Sequence, residues 1–179
     1  MNIKGNEMNY SEIVEFHGHT CPGLAIGYRM SVAAMAALGV TRSGDEELVA
    51  VVENDACGVD ALQCVSGCTF GKGNLLFRDF GKSVYTLYSR PSAKGVRVVF
   101  REQDLPTGIR KDKPAFIKFL QECPDRVILT ITETTETPPE PARIRNSVSC
   151  QICSETVMDT RLRKIDGQTV CIPCAESHA

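Results

Sequence analysis

Residues 150–179 cannot fold in the ordinary way. Cys150 and Cys153 form one Cys-x2-Cys pair and Cys171 and Cys174 a second, with 17 residues between them. Few apolar side chains lie in that interval, so burial alone does not offset the entropy of ordering it. The spacing falls in the range of four-cysteine zinc sites, where the free energy of metal binding is the free energy of folding. Arg161–Ile165 and Gln168–Val170 are β-like runs around Asp166-Gly167, a two-residue hairpin signal. Pro173 suits a first helical turn. A small zinc-binding unit is expected: a knuckle, a hairpin, and a second knuckle at the start of a short helix. A redox dithiol pair is the competing reading of the same cysteines.

The chain has nine cysteines, an odd number, which fits metal and thiol chemistry in a reducing cytoplasm better than a disulfide framework. Met1 to Glu7 shows no apolar leader. The longest apolar stretch, Leu24 to Leu38, is broken by Arg29 and is too short for a bilayer span. A net charge of −2 argues against nucleic acid as a general partner. Thr, Glu and Pro dominate 133–149, and Pro138-Pro139-Glu140-Pro141 reads as a stiff spacer. Three parts are therefore expected: a domain over 1–132, a linker over 133–149, and the zinc unit over 150–179.

Within the first part, helices are expected over Tyr10–His17, from Pro22 to about Leu38, from about Val59 to Gly67, and from Lys113 to about Glu122. Gly18 and Gly39 serve as C-caps and Asp112 as an N-cap. Strands are expected at Leu48–Glu53, Leu75–Phe80, Ser83–Arg90, Val96–Arg101 and Arg126–Thr132. Gly71-Lys72-Gly73-Asn74 reads either as a tight turn with an exposed lysine or as a backbone nest for an anion. The element order argues for an α+β fold with helices packed on a mixed or largely antiparallel sheet.

The chemistry concentrates in Phe16-His17-Gly18-His19-Thr20-Cys21-Pro22-Gly23. If this stretch is extended, His17, His19 and Cys21 share one face, because side chains alternate with period two. Cys21 and Cys57 both precede expected helices, where a thiolate is favoured. Both are candidate nucleophiles, and with the histidines they are candidate ligands for zinc, nickel or iron. Asp60 is a candidate catalytic group, or a partner that orients an imidazole through its free N–H. Asp60, Cys64 and Cys68 are spaced four apart and share a face if the helix persists. Cys68 and Cys64 rank lower as ligands.

Phe16–Gly27, Cys57-Gly58-Val59-Asp60-Ala61-Leu62-Gln63 and Gly67–Asn74 together resemble the formylmethanofuran dehydrogenase E-subunit family, over roughly residues 10–132. The resemblance implies a fold similar to the catalytic domain of glyceraldehyde-3-phosphate dehydrogenase. It carries across His17, His19, Cys21, Cys57, Asp60 and Cys68. It also implies an association with a molybdenum or tungsten enzyme that reduces carbon dioxide to the formyl level on methanofuran. The C-terminal unit resembles a DksA/TraR-type zinc finger. The expected role is that of a metal-binding subunit-like or accessory protein, with zinc in the finger and a second transition metal in the first domain. Two alternatives are an independent cysteine-dependent enzyme and a regulatory module docking through the finger. A homodimer is the expected assembly, and subunits of the molybdenum or tungsten enzyme are expected partners.

Overall fold

The computed structural model describes residues 8–177. The leader-free N-terminus expected at Met1–Glu7 lies outside the described residues. The chain divides into a unit ending at Pro141 and one beginning at Ala142.

The first unit begins with α1 (Tyr10–His17) and α2 (Pro22–Leu38). Asn9 caps α1 in a capping box with Glu12, and Gly18 ends it at φ 87°. Arg29 interrupts α2 for a reason. Its guanidinium donates to the Leu120 carbonyl, to the Cys123 carbonyl at 2.7 Å and to Asp125 at 2.6 Å. It thereby ties α2 to the end of α4 (Lys113–Glu122), whose own N-cap is Asp112. The remaining long helix is α3 (Gly58–Ser66).

The sheet has five strands: β1 (Leu48–Val52), β2 (Leu75–Phe77), β3 (Val84–Ser89), β4 (Lys94–Phe100) and β5 (Leu129–Thr134). Their order is β2-β1-β3-β4-β5. Only β1 and β2 are parallel; the other pairs are antiparallel. The fold is therefore α+β on a mixed sheet. Leu48, Ala50, Val52, Leu87, Val96 and Val98 meet the α2 residues Met30, Ala33 and Ala34 in one core. Each fully buried Leu, Val or Met side chain among them contributes roughly 1.5–3 kcal/mol, and each alanine less.

Two elements depart from expectation. Strand β2 ends at Phe77 rather than Phe80, because the chain turns there: the Phe80 N–H donates to the Arg78 carbonyl and Gly81 takes φ 66°. Residues Asp125–Ile128 form a helical turn, α5, not the start of a strand. The Arg101 side chain accounts for it by donating to the carbonyls of Arg126 and Val127.

Gly71–Asn74 is a turn, with the Gly73 N–H donating to the Phe70 carbonyl. Lys72 is half-buried and reaches the Asp45 carbonyl at 3.2 Å. Asn74 is fully buried and fully bonded. Its amide donates to the carbonyls of Asp45 and Leu48, both at 3.0 Å, and its oxygen accepts from the Thr69 N–H at 2.9 Å. Asn74→Asp loses both donors and places a charge against two carbonyls. The expected cost is about 3–5 kcal/mol, read as a lowered urea midpoint for the first unit. A loss below about 1 kcal/mol would show that the loop is held by something else.

The second unit contains two hairpins: β6 (Ser147–Ser149) with β7 (Thr156–Met158), and β8 (Leu162–Ile165) with β9 (Gln168–Cys171). Asp166 and Gly167 turn the second at φ 48° and 79°. Helix α6 (Ile172–Glu176) follows directly. The β6–β7 pair, which brackets the first knuckle, has only three residues per strand and no period long enough to read beforehand. Among the described residues, no helix is long and apolar enough to cross a membrane.

Candidate functional site

In the second unit, the sulfurs of Cys150, Cys153, Cys171 and Cys174 lie within 4.8 Å of one another. Donors held 2.3 Å from a tetrahedral ion sit roughly 3.8 Å apart, and Cys153 Sγ lies 3.9 Å from Cys171 Sγ. The four thiols are electrostatically unequal. Backbone N–H groups, that of Cys171 first, pull the Cys150 thiol down to about 6. Hydrogen bonding to Cys171 pushes Cys174 up. Four adjacent thiols cannot all ionise without a cation among them, and a divalent ion resolves that repulsion.

In the first unit, three segments meet. His17 is the last residue of α1 and Gly18 turns left-handed after it, so the stretch is not extended as the period-two argument for 17, 19 and 21 supposes. His17 points inward, while His19 stays exposed and stacks on the His17 ring with centroids 4.5 Å apart. Cys21 is the N-cap of α2, and its Sγ accepts from the Leu24 N–H at 3.3 Å. Cys57 arrives from the start of α3. The donor atoms of His17, Cys21 and Cys57 lie within 4.8 Å of one another, and His19 is not in this cluster.

The imidazole is aimed from behind. His17 Nδ1 lies 2.7 Å from Asp60 Oδ2, and Nε2 lies 4.0 Å from Cys21 Sγ. A proton on Nδ1, donated to Asp60, leaves the Nε2 lone pair facing the two sulfurs. Gln63 donates to the other Asp60 oxygen at 3.4 Å. Gln63 closes the Cys57–Gln63 motif quoted above but was given no role there, although one helical turn separates it from Asp60.

Two glycines set the distance between the cysteines. A Cβ on Gly27 would fall 2.2 Å from the Gly58 Cα and carbonyl oxygen. Helices α2 and α3 thus touch backbone to backbone. On the far side, a Cβ on Gly58 would meet the Tyr85 hydroxyl at 2.5 Å.

The other cysteines sit elsewhere. Helix α3 ends at Ser66, with Gly67 in the left-handed region, so the face expected to reach Cys68 stops short of it. Cys68 is fully buried in the main core, where burial pushes its thiol up to about 11. Cys64 is buried among Ile13, Leu24 and Ala61, and burial raises its thiol too. The favoured thiolate expected at Cys57 is also absent. Burial first, and then Cys21 beside it, push that thiol up, and Cys57 makes no capping bond that would favour the anion.

A cleft of about 440 Å3 opens beside the cluster, lined by His17, Cys57 and Asp60 and by Asp55, Phe70 and Phe77. Phe70 lies in a glycine turn and Phe77 on an edge strand, and no periodicity marks either as a cleft wall.

The known proteins agree with this architecture. The family described as "FmdE, Molybdenum formylmethanofuran dehydrogenase operon" matches residues 16–136. The prokaryotic DksA/TraR C4-type zinc finger matches 143–178. A crystal structure of a tungsten formylmethanofuran dehydrogenase FmdE-like protein from Syntrophus aciditrophicus superposes with a TM-score of 0.73 at 27% identity. It covers 95% of this chain and 94% of that one. A probable S-adenosyl-L-methionine-binding protein of Archaeoglobus fulgidus is 32% identical over 192 residues, or 92% of this chain. The chain spans about half the length of that curated relative, 51%. With more than half of its length matched by the family and its fold shared with an FmdE-like structure, the chain belongs to the FmdE family, with a C4-type zinc finger following the family domain.

Proposed function

We propose that this is a metal-binding accessory or subunit-like protein of molybdenum or tungsten one-carbon metabolism. Its working centre is a mononuclear site made by His17, Cys21 and Cys57. The observation that carries this reading is the alignment of Asp60, His17 and the two sulfurs, which leaves one imidazole nitrogen facing a pair of thiols. Three protein donors would leave a tetrahedral ion one position for water or a ligand, which is the pattern of a working site and not of a structural one, and His17 and Cys57 both line the cleft. A divalent ion bound there supplies Lewis acidity or an acidified water. The chain's own residues do the rest. Asp60 fixes the His17 tautomer, the Leu24 N–H stabilises negative charge on Cys21 Sγ, and Gly27 with Gly58 holds the two sulfurs at ligand spacing.

The second centre is zinc in the finger, held by Cys150, Cys153, Cys171 and Cys174. Thiol-rich sites of this kind suit a reducing cytoplasm, which we include in the proposal. Kinship of the core with the glyceraldehyde-3-phosphate dehydrogenase catalytic domain also belongs to it. The raised thiol of Cys57 speaks against carrying over a cysteine nucleophile with that kinship. A homodimer and an association with subunits of a molybdenum or tungsten enzyme complete the reading. Val32 and Ala36 stand exposed on α2 and line a groove of about 190 Å3, which supports the homodimer.

Metal analysis of the full-length protein tests the assignment. Two ions per chain are expected in the native protein, and one in His17→Ala and in Cys57→Ser. His19→Ala is expected to keep both. A native stoichiometry of one, or loss of an ion in His19→Ala with none lost in His17→Ala, would overturn it.

A further inference from the structure

Phe70 is 79% exposed and Phe77 47%, and both rings border the cleft beside His17 and Cys57. Large aromatic surface left in water at a concave site marks a place where a ligand packs. The charge of the cleft is one-sided. Its lining includes Asp55 and Asp60, and among the described residues neither lysine nor arginine. A divalent ion balanced by the thiolates of Cys21 and Cys57 is neutral as a unit, so the two carboxylates leave the cleft negative. Concave apolar walls concentrate such a field. Formate, phosphate and other free anions are repelled there, and a cation is drawn in. Aromatic ring faces add to the attraction for a cation.

We infer that the cleft is a binding subsite for a small ligand with a flat apolar body and a positive charge. The body packs on Phe70 and Phe77, and the charged end turns toward Asp55 and Asp60. This deepens the metal-centre reading by naming the class of ligand brought to the open position, and it rests on that reading for the ligand's orientation toward the ion.

The test uses three probes of one shape and different charge: benzamidinium, benzamide and benzoate. Each is titrated by calorimetry into the full-length, zinc-loaded protein, with zinc counted on the same sample. Benzamidinium is expected to bind at least about tenfold more tightly than benzoate, with benzamide between them. Asp55→Asn, an exposed position, should narrow that preference several-fold. Phe70→Ala should weaken all three probes alike. Benzoate binding as tightly as benzamidinium, or an unchanged series in Phe70→Ala, overturns the inference. The two readings fail separately. The expected preference with only one zinc per chain keeps the subsite and retires the metal centre. Two zinc ions with benzoate preferred retires the subsite alone.

Discussion

Replacing Cys171 with serine is expected to unfold the second unit and leave the first intact. Among the described residues, those buried in that unit are Cys150, Val170, Cys171 and Ala175. Half of its core is therefore ligand. Apolar burial on this scale does not hold a segment of 38 residues together, whereas structural zinc supplies about 10–16 kcal/mol in comparable peptides. Cys171 also joins β9 to α6, so its loss releases both elements. Serine preserves the N–H that bonds Cys150 Sγ at 3.3 Å, which isolates the effect of the missing thiolate. Amide exchange should show β6 to α6 unprotected, while the main thermal transition stays in place. The first unit has reason to be indifferent, because its last segment is anchored to itself. Arg90 donates to the Pro139 carbonyl at 2.7 Å and Tyr88 to Glu136 at 3.4 Å. A mutant in which the main transition also disappears would show that the units do not fold independently.

Gly27→Ala is expected to damage the first centre from a distance. The new methyl would lie 2.2 Å from Gly58 backbone atoms. Backbone cannot rotate away as a side chain can, so α2 and α3 must separate. Overpacking of this kind costs about 1–3 kcal/mol. The larger effect falls on ligand spacing, since Cys21 begins α2 and Cys57 directly precedes α3. A metal site tolerates displacements of only about 0.2 Å. Affinity at this site should drop about 10–100-fold, the range for losing groups that aim metal ligands. Competition with a chelator measures it, with Gly71→Ala as control because a Cβ there meets nothing within 4 Å. Unchanged affinity together with the expected loss of stability would separate the helix crossing from the centre.

Local punctuation explains why so much of the fold was legible. Helices α1, α2 and α4 begin and end at residues with their own conformational demands: Gly18, Cys21-Pro22, Gly39 and Asp112. Strands β1, β3 and β4 are apolar runs long enough to read. What escaped depends on partners distant in sequence. The helical turn at Asp125–Ile128 is held by Arg101, and Asn74 is an anchor only because Asp45, Leu48 and Thr69 come to it. The same division runs through the site. His17, Cys21 and Cys57 could be picked out as metal-binding residue types, and their meeting is what the fold supplies. The period-two argument needed an extended stretch, and α1 runs through His17 with a left-handed turn at Gly18 behind it. The end of α3 before Cys68 follows from Gly67.

Cys21 performs two tasks with one atom. Its sulfur is a candidate ligand, and it also accepts from the Leu24 N–H in the first turn of α2. Oxygen performs the second task at least as well, since serine is among the preferred residues at a helix start. Scaffold and reactivity are therefore separable at this position by exchanging sulfur for oxygen. A descendant of this chain could abandon its chemistry there in a single substitution and still fold. At Gly27 no such divorce is available, because the spacing that serves the centre is the spacing that packs the core.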